Sequence, residues 1–401
     1  MSKDAFFCSL LREASAKRRK ENIIAVIPEG GFYGNTKAAF LILSELIRKK
    51  RLDWRICYIS SDEDKTILTK NGFFALSVEK DINAAADLCM RAKYVLYGSH
   101  AFQDVDTWFW ESCCYTAKKI QLWHGIPAKQ IAYELIANRE TFYSFAGLAS
   151  DSLGYDYCVP EGPAACSIYA KAFPSSMLLP FGAPRNDFLV RDDYDDLLYL
   201  IFDSETLRKI KNIKNSSQIV LIAPTYREPE YNEDKFFLLS SLIERLAASS
   251  DYFVILKLHA AHLNYHKEDL VRFKELESKS ARVLIASPNS DIYPYLKLAD
   301  ILISDYSSVV SDFLIMGRPI VYFRQDEESY WKKRDKPTLS LYDENKIAPV
   351  FTEVGECVDF INKGDFDDYL NNSRLIARRL HANYGTGMAA ECLLEFIVSS
   401  G

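Results

Sequence analysis

Short apolar runs alternate with stretches in which apolar positions recur every three or four residues, and the alternation persists over most of the 401-residue chain. A helical pattern at 4–20 is followed by the run Asn22 to Pro28 (NIIAVIP), which reads as a buried strand. Next comes a glycine-rich turn, Glu29-Gly30-Gly31-Phe32-Tyr33-Gly34-Asn35-Thr36-Lys37. It leads into a helix with Ala39, Phe40, Leu43 and Leu46/Ile47 on one face. Further strands are expected at 54–59, 73–78, 93–97 and 120–123, with a helix around 84–90. Such alternation predicts a doubly wound α/β domain with a parallel sheet, whose ligands sit beyond the carboxyl ends of the strands.

Residues 191–216 break the pattern. They are charged, with Asp192, Asp193, Asp195 and Asp196 before Arg208, Lys209, Lys211 and Lys214, and carry no strand signal. We place the boundary here: an N-terminal domain over 1–190, linker helices over 191–216, and a C-terminal domain over 217–401 whose last helix (389–398) has the option of crossing back. The second domain repeats the alternation, with strands at 218–223, 253–258 and 282–286. Its clearest segment is Ala299 to Phe323, ADILISDYSSVVSDFLIMGRPIVYF, which parses as strand, tight turn, helix, turn, strand. Gly317 suits the helix stop, and Pro319 blocks continuation.

Composition narrows the class. A net charge of −6 argues against a broad basic face for nucleic acid. The nine cysteines are odd in number, scattered and without a CxxC pair, so neither a zinc site nor a disulfide framework is expected, and a reducing cytoplasm fits. No signal peptide and no run of about 18 apolar residues is visible. Phe6, Phe7, Leu10 and Leu11 precede Lys17-Arg18-Arg19-Lys20; this pattern fits a basic membrane-surface helix or an ordinary solvated first helix.

Polar residues cluster where strands should end. In Trp123-His124-Gly125-Ile126-Pro127-Ala128-Lys129 the histidine is placed to act as a general base, or to be a structural histidine beneath a loop, and Lys129 follows about one turn later. Arg185, in Gly182-Ala183-Pro184-Arg185-Asn186-Asp187, is a candidate for pairing with phosphate or for a domain-linking salt bridge. In the second domain Arg227, His259 and Ser307/Ser308 hold the corresponding positions. Two serines opening a helix after a parallel strand offer hydroxyls and backbone N–H groups to a phosphate, or simply cap the helix. The expected architecture is two Rossmann-like domains facing across a cleft, the glycosyltransferase-B fold, with a nucleotide-activated donor in the second domain and an acceptor in the first. No acidic cluster with ligand spacing calls for a metal, and no cofactor is expected.

Six motifs, in order, resemble those of the CDP-glycerol glycerophosphotransferases of teichoic-acid and capsule synthesis. GNTK at 34–37 resembles GNPK, QLWHGIPAK at 121–129 resembles QTWHGTPLK, and GAPRND at 182–187 resembles GYPRND. APTYRE at 223–228 resembles APTWRD, KLH at 257–259 resembles KLHP, and ISDYSSVVSDF at 303–313 resembles TDYSSVMFDF. The resemblance implies that His124 is the base on the acceptor hydroxyl and that His259 is a second active-site histidine near the donor phosphates. It implies that Ser307 and Ser308 hold the pyrophosphate, and that Arg227, Arg185, Lys129 and Asn35 belong to the donor and phosphate side. Asp305 and Asp312 read as turn and helix structure. After Tyr330 the chain departs from the family pattern, with Asp335 where a glycine is usual and Ala348-Pro349 in place of Pro-Gly.

The activity implied is transfer of glycerol phosphate from CDP-glycerol, or ribitol phosphate from CDP-ribitol, to a hydroxyl of a cell-surface glycan, lipid-linked glycan or growing polymer, with CMP leaving. Peripheral contact with the inner face of the membrane is part of this expectation. The alternatives are a glycosyltransferase of the same fold using a CMP- or UDP-linked sugar, and a non-catalytic nucleotide-binding member of a capsule assembly complex.

Overall fold

The computed structural model describes residues 3–28, 31–98, 105–126, 154–227, 235–262, 267–332 and 343–400. The chain separates into two compact units: the first runs through Leu197 and takes in the C-terminal segment from Leu380, and the second is Leu198–Arg379. The segment read as linker helices is thus divided between the units. Its helix Ser204–Ile213 buries Ile210 and packs as part of the second.

The first unit is built on seven parallel strands: β1 (Glu21–Ile27), β2 (Arg55–Ser60), β3 (Ala75–Ser77), β4 (Ala92–Tyr97), β5 (Lys118–Gln121), β6 (Tyr157–Cys158) and β7 (Met177–Leu178). Their order in the sheet is β3-β2-β1-β4-β5-β6-β7. The chain moves outward from β1 and then returns to β4 on its other side, so the connection reverses direction between β1 and β4. Ile23, Ile24, Ala25 and Val26 are fully buried, as expected of a parallel strand covered on both faces. The helix Gly34–Lys50 is enclosed over its first turns, with Asn35 through Leu43 all buried. The helices Pro184–Val190 and Ala389–Ser400 pack against it, so the amphipathic stripe read from the sequence is only part of its buried surface. The returning C-terminal segment passes close to Gly162, where a Cβ would lie 2.3 Å from the Leu380 carbonyl oxygen. Glycine is needed there for that approach.

The second unit has six parallel strands: β8 (Gln218–Ile222), β9 (Tyr252–Leu256), β10 (Val283–Ile285), β11 (Ile301–Ser304), β12 (Ile320–Phe323) and β13 (Val350–Phe351). Their order, β10-β9-β8-β11-β12-β13, repeats the first unit's logic, with the reversal between β8 and β11. Val220, Val254, Leu256, Ile303 and Val321 from four neighbouring strands share one core with Leu242, Ile243 and Leu246 from the helix Lys235–Ala247. The helix Val309–Leu314 ends as its sequence indicates: Gly317 has φ +61° and its N–H donates to Leu314 O at 3.0 Å. Several apolar runs extend past the strands they contain. Leu122 and Trp123 are buried although β5 stops at Gln121, and Leu258 is buried although β9 stops at Leu256. The hydrophobic run marks burial, whereas the strand ends where ladder pairing ends.

Candidate active site

In open α/β sheets the reversal of strand order leaves a crevice at the carboxyl ends of the strands, where ligands bind. The polar motifs lie at or beside these places in each unit.

In the first unit His124 follows β5, next to β4. It is exposed, and its ring stacks on that of Trp123 with centroids 4.3 Å apart and planes 26° apart. Trp123 is buried and has φ +51°, in the left-handed region that non-glycine residues rarely adopt. Buried groups hold this conformation on both sides. Asn35 Nδ2 donates to Leu122 O at 2.9 Å and to Trp123 O at 2.8 Å. The Tyr169 hydroxyl lies 3.2 Å from Gly125 O and 2.8 Å from Glu161 Oε2. The other oxygen of Glu161 accepts from Arg185 Nη2 at 3.0 Å. Arg185 N–H in turn donates to Asn35 Oδ1 at 3.1 Å.

Two residues expected on the donor and phosphate side, Arg185 and Asn35, are interior. Arg185 is 1% exposed and ion-paired with Glu161, itself 1% exposed. Its charge is engaged with that carboxylate in the interior. Asn35 is 3% exposed, and its side-chain bonds run to backbone groups of the 122–123 and 185 segments, which it ties together. Lys129 lies outside the described residues. Asp187, from the same motif as Arg185, accepts from the N–H groups of Ala389 and Ala390 at 3.0 and 2.8 Å and so caps the last helix. Burial pushes its carboxyl up to about 7 despite those bonds.

In the second unit the loops after β8 and β11 meet at the reversal point. Arg227 joins them. Its Nη1 donates to Thr225 O at 2.6 Å, its Nη2 to Asp305 Oδ2 at 2.7 Å, and its Nε to Asp326 Oδ2 at 2.9 Å. Asp305 Oδ1 accepts from Thr225 N, Thr225 Oγ1 and Tyr306 N at 2.9, 2.7 and 2.6 Å. The guanidinium also lies over the rings of Tyr306 and Tyr330, at 5.3 and 4.8 Å from their centroids. Burial opposes the charge of Arg227, but the two carboxylates outweigh it and raise the pKa above the ordinary arginine range. Arg227, which the sequence put on the donor side, is thus a buried cross-link between the loops.

Ser307 and Ser308 are half-buried at the mouth of this junction. Ser307 Oγ accepts from Val309 N–H at 3.4 Å, while Ser308 makes no side-chain cap. The helix behind them has six residues, so its dipole contributes less than a long helix would. Asp312, in that helix, accepts from the Tyr293 hydroxyl at 2.8 Å.

His259 is exposed beyond β9, with its ring 5.2 Å from that of Tyr226. Ala261 N–H donates to His259 Nδ1 at 3.1 Å, so in the neutral imidazole the ring proton sits on Nε2. The preceding Lys257 is buried. Its Nζ donates to Leu258 O at 3.0 Å and to Pro288 O at 2.9 Å. Burial lowers its pKa to about 8.

Glu161, Tyr169 and Asp326 were missed by sequence reasoning. The only available hint was parity: a buried arginine in a motif requires a carboxylate, but the sequence does not say which. Among the described residues no group of three or more His, Cys, Asp or Glu side chains is arranged to hold a metal ion.

Two Rossmann-like units of matching strand order, with polar loops at the strand ends, place the protein in the α/β glycosyltransferase-B class. The chain belongs to the CDP-glycerol:poly(glycerophosphate) glycerophosphotransferase family, whose profile matches residues 15–399. It is 28% identical over 287 residues to a teichoic acid poly(glycerol phosphate) polymerase of Bacillus subtilis (strain 168), a match covering 69% of this chain and 35% of that protein. It is also 28% identical over 296 residues to a teichoic acid ribitol-phosphate primase of Bacillus spizizenii (strain ATCC 23059 / NRRL B-14472 / W23), covering 70% of this chain and 69% of the relative. The first match thus spans about a third of the relative's length. The structure of the wall teichoic acid polymerase TagF superimposes with a TM-score of 0.74 at 20% identity, covering 99% of this chain and 94% of TagF.

Proposed function

We propose that the protein transfers a polyol phosphate, glycerol phosphate or ribitol phosphate, from its CDP-activated form to a hydroxyl of a teichoic-acid-type glycan or polymer and releases CMP. One observation carries this reading. In a chain that matches the family over residues 15–399, polar residues follow strand ends in both units, and in the second unit the loops after β8 and β11 meet at the reversal point. Both relatives described above are teichoic acid enzymes, one named for glycerol phosphate and one for ribitol phosphate. Family membership favours this reading over a nucleotide-sugar glycosyltransferase.

In the proposed reaction the acceptor oxygen attacks the phosphorus that bears the polyol. His124 takes the acceptor proton, the new phosphodiester bond forms, and the bond to the CMP oxygen breaks. His259, with its proton on Nε2, donates to a phosphoryl oxygen. The Ser307 and Ser308 hydroxyls and the adjoining backbone N–H groups hold the diphosphate. Positioning and charge stabilisation supply most of the catalysis in such transfers.

The proposal extends to the membrane surface. Phe6, Phe7 and Leu10 are 55%, 51% and 47% exposed on the first helix, just before Lys17-Arg18-Arg19-Lys20. Among the described residues no helix is long and apolar enough to cross a membrane.

The test uses CDP-glycerol and CDP-ribitol in parallel, scoring CMP release and new phosphodiester phosphorus in the acceptor. His124→Ala is expected to lower the rate by about 10²–10⁴-fold. Turnover at the wild-type rate by that variant would sink the base assignment. CMP release without a new phosphodiester would mean hydrolysis of the donor by water, and would count against transfer to the acceptor supplied.

A further inference from the structure

The peptide immediately before His124 is held in an unfavourable conformation by buried side chains, one of which also ties two other segments together. Trp123 adopts φ +51° without being glycine, asparagine or aspartate. A residue kept in that region is strained and persists only when its surroundings over-determine it. Asn35 holds the carbonyl side of that backbone, because the carbonyls of Leu122 and Trp123 both accept from its Nδ2, at 2.9 and 2.8 Å, while Trp123 N–H donates to Gln121 Oε1 at 2.9 Å. Its Oδ1 accepts from Arg185 N–H, so one amide fastens the start of the helix Gly34–Lys50, the end of β5 and the start of the helix Pro184–Val190. Asn35 is 3% exposed, where unpaired donors and acceptors are costly.

The consequence falls on His124. A left-handed Trp123 sends the chain into a turn that lays the His124 ring on the Trp123 indole, 4.3 Å centroid to centroid, while His124 itself stays exposed. In the extended conformation natural to tryptophan, the backbone would rotate His124 off this platform.

We propose that Asn35 is a positioning residue for His124: it imposes the left-handed Trp123 backbone that sets the direction of the imidazole. The catalytic consequence rests on the reading of His124 as the base; the orientation of the ring does not. Asparagine suits the task because one side chain must donate twice and accept once. Aspartate lacks the donors, and alanine lacks everything.

The experiment uses the full chain in wild-type, Asn35→Ala, Asn35→Asp and His124→Ala forms, and the double variant of Asn35→Ala with His124→Ala. In protein labelled with [13C]histidine, the Hε1 resonance of His124 is assigned by its loss in His124→Ala, one signal among six histidines. Stacking on Trp123 shifts this resonance upfield, and in Asn35→Ala it is expected to move to the position of an unstacked histidine. The kcat for CDP-glycerol is expected to fall about 10- to 100-fold with KM changed less than about twofold. That loss should vanish when His124 is already alanine. Asn35→Asp keeps the shape and the acceptor for Arg185 N–H, and should reproduce both effects if Asn35→Ala does not fold.

An unchanged His124 resonance in the folded variants overturns the proposal. So does an equal loss of rate from Asn35→Ala in the His124→Ala background, which would mark a general structural defect. If His124→Ala alone retains the wild-type rate, the base reading fails, and the resonance still decides whether Asn35 positions the ring.

Discussion

Arg227 offers the sharpest test of whether the loops of the second unit are joined by buried charge or are organised to receive it. Its guanidinium lies between Asp305 and Asp326, and the three residues are 7%, 5% and 7% exposed. Replacing it with methionine keeps much of the volume but leaves two buried carboxylates facing each other and strips Thr225 O of its donor. Removing one partner of a buried ion pair costs about 3–5 kcal/mol. Two stranded acids argue for the upper part of that range. For a unit of this size each kcal/mol lowers the melting temperature by about 2–4 °C, so the transition should fall by roughly 10 °C or more. Arg227→Lys should fall between wild type and methionine, because a lysine ammonium reaches one carboxylate as a point charge and cannot bridge both with a planar fork. The assay is thermal and urea unfolding without nucleotide, followed by CDP-glycerol titration of the folded variants. If Arg227→Met melts with wild-type stability and loses only donor affinity, then Arg227 is a ligand residue and the cross-link account is wrong.

Two other buried ionisable groups give predictions whose sign follows from their surroundings. Burial lowers the pKa of Lys257 to about 8 from 10.5, so the unfolded chain binds more protons between those values, and this lysine's contribution to stability rises with pH across the window. Wild type should gain about 2 kcal/mol relative to Lys257→Met between pH 7.5 and 9.5, and parallel urea midpoints at the two pH values would contradict the assignment. Asp187 runs the other way. Raised to about 7, its carboxyl favours the folded state on acidification, and that contribution is lost as pH rises through 7. Wild type should therefore gain about 2 kcal/mol over Asp187→Asn from pH 7 to 5, read by the same titration. Asp187→Ala, which removes the acceptor of Ala389 and Ala390 N–H, should be about 1–2 kcal/mol less stable than Asp187→Asn at both pH values.

Much of the fold was legible in the chain because parallel strands are buried on both faces and so appear as short apolar runs. Helix stops were equally readable, since Gly317 meets a backbone requirement that few other residues satisfy. The motif residues split into two groups. His124, His259, Ser307 and Ser308 stay exposed or half-buried at strand ends, where the sequence put them. Asn35, Arg185 and Arg227 looked similar in sequence and proved to be interior. A motif records that a residue type is required; it does not record whether the requirement comes from a ligand or from a neighbour.

By itself, then, the sequence determined the α/β alternation, the strand-end positions of the histidines and serines, and the family, all of which depend on local periodicity and short contiguous motifs. Only the tertiary structure decided the partners of the buried charges. Glu161 meets Arg185, Asp326 meets Arg227, and Asn35 meets Trp123 across separations of 24, 99 and 88 residues. The return of Leu380–Gly401 to the first unit was decided in the same way. Burial makes such pairing obligatory, because an uncompensated charge or amide in the interior is costly. Which residues satisfy one another is set by which strand ends the sheet order brings together, and no local stretch of sequence contains that information.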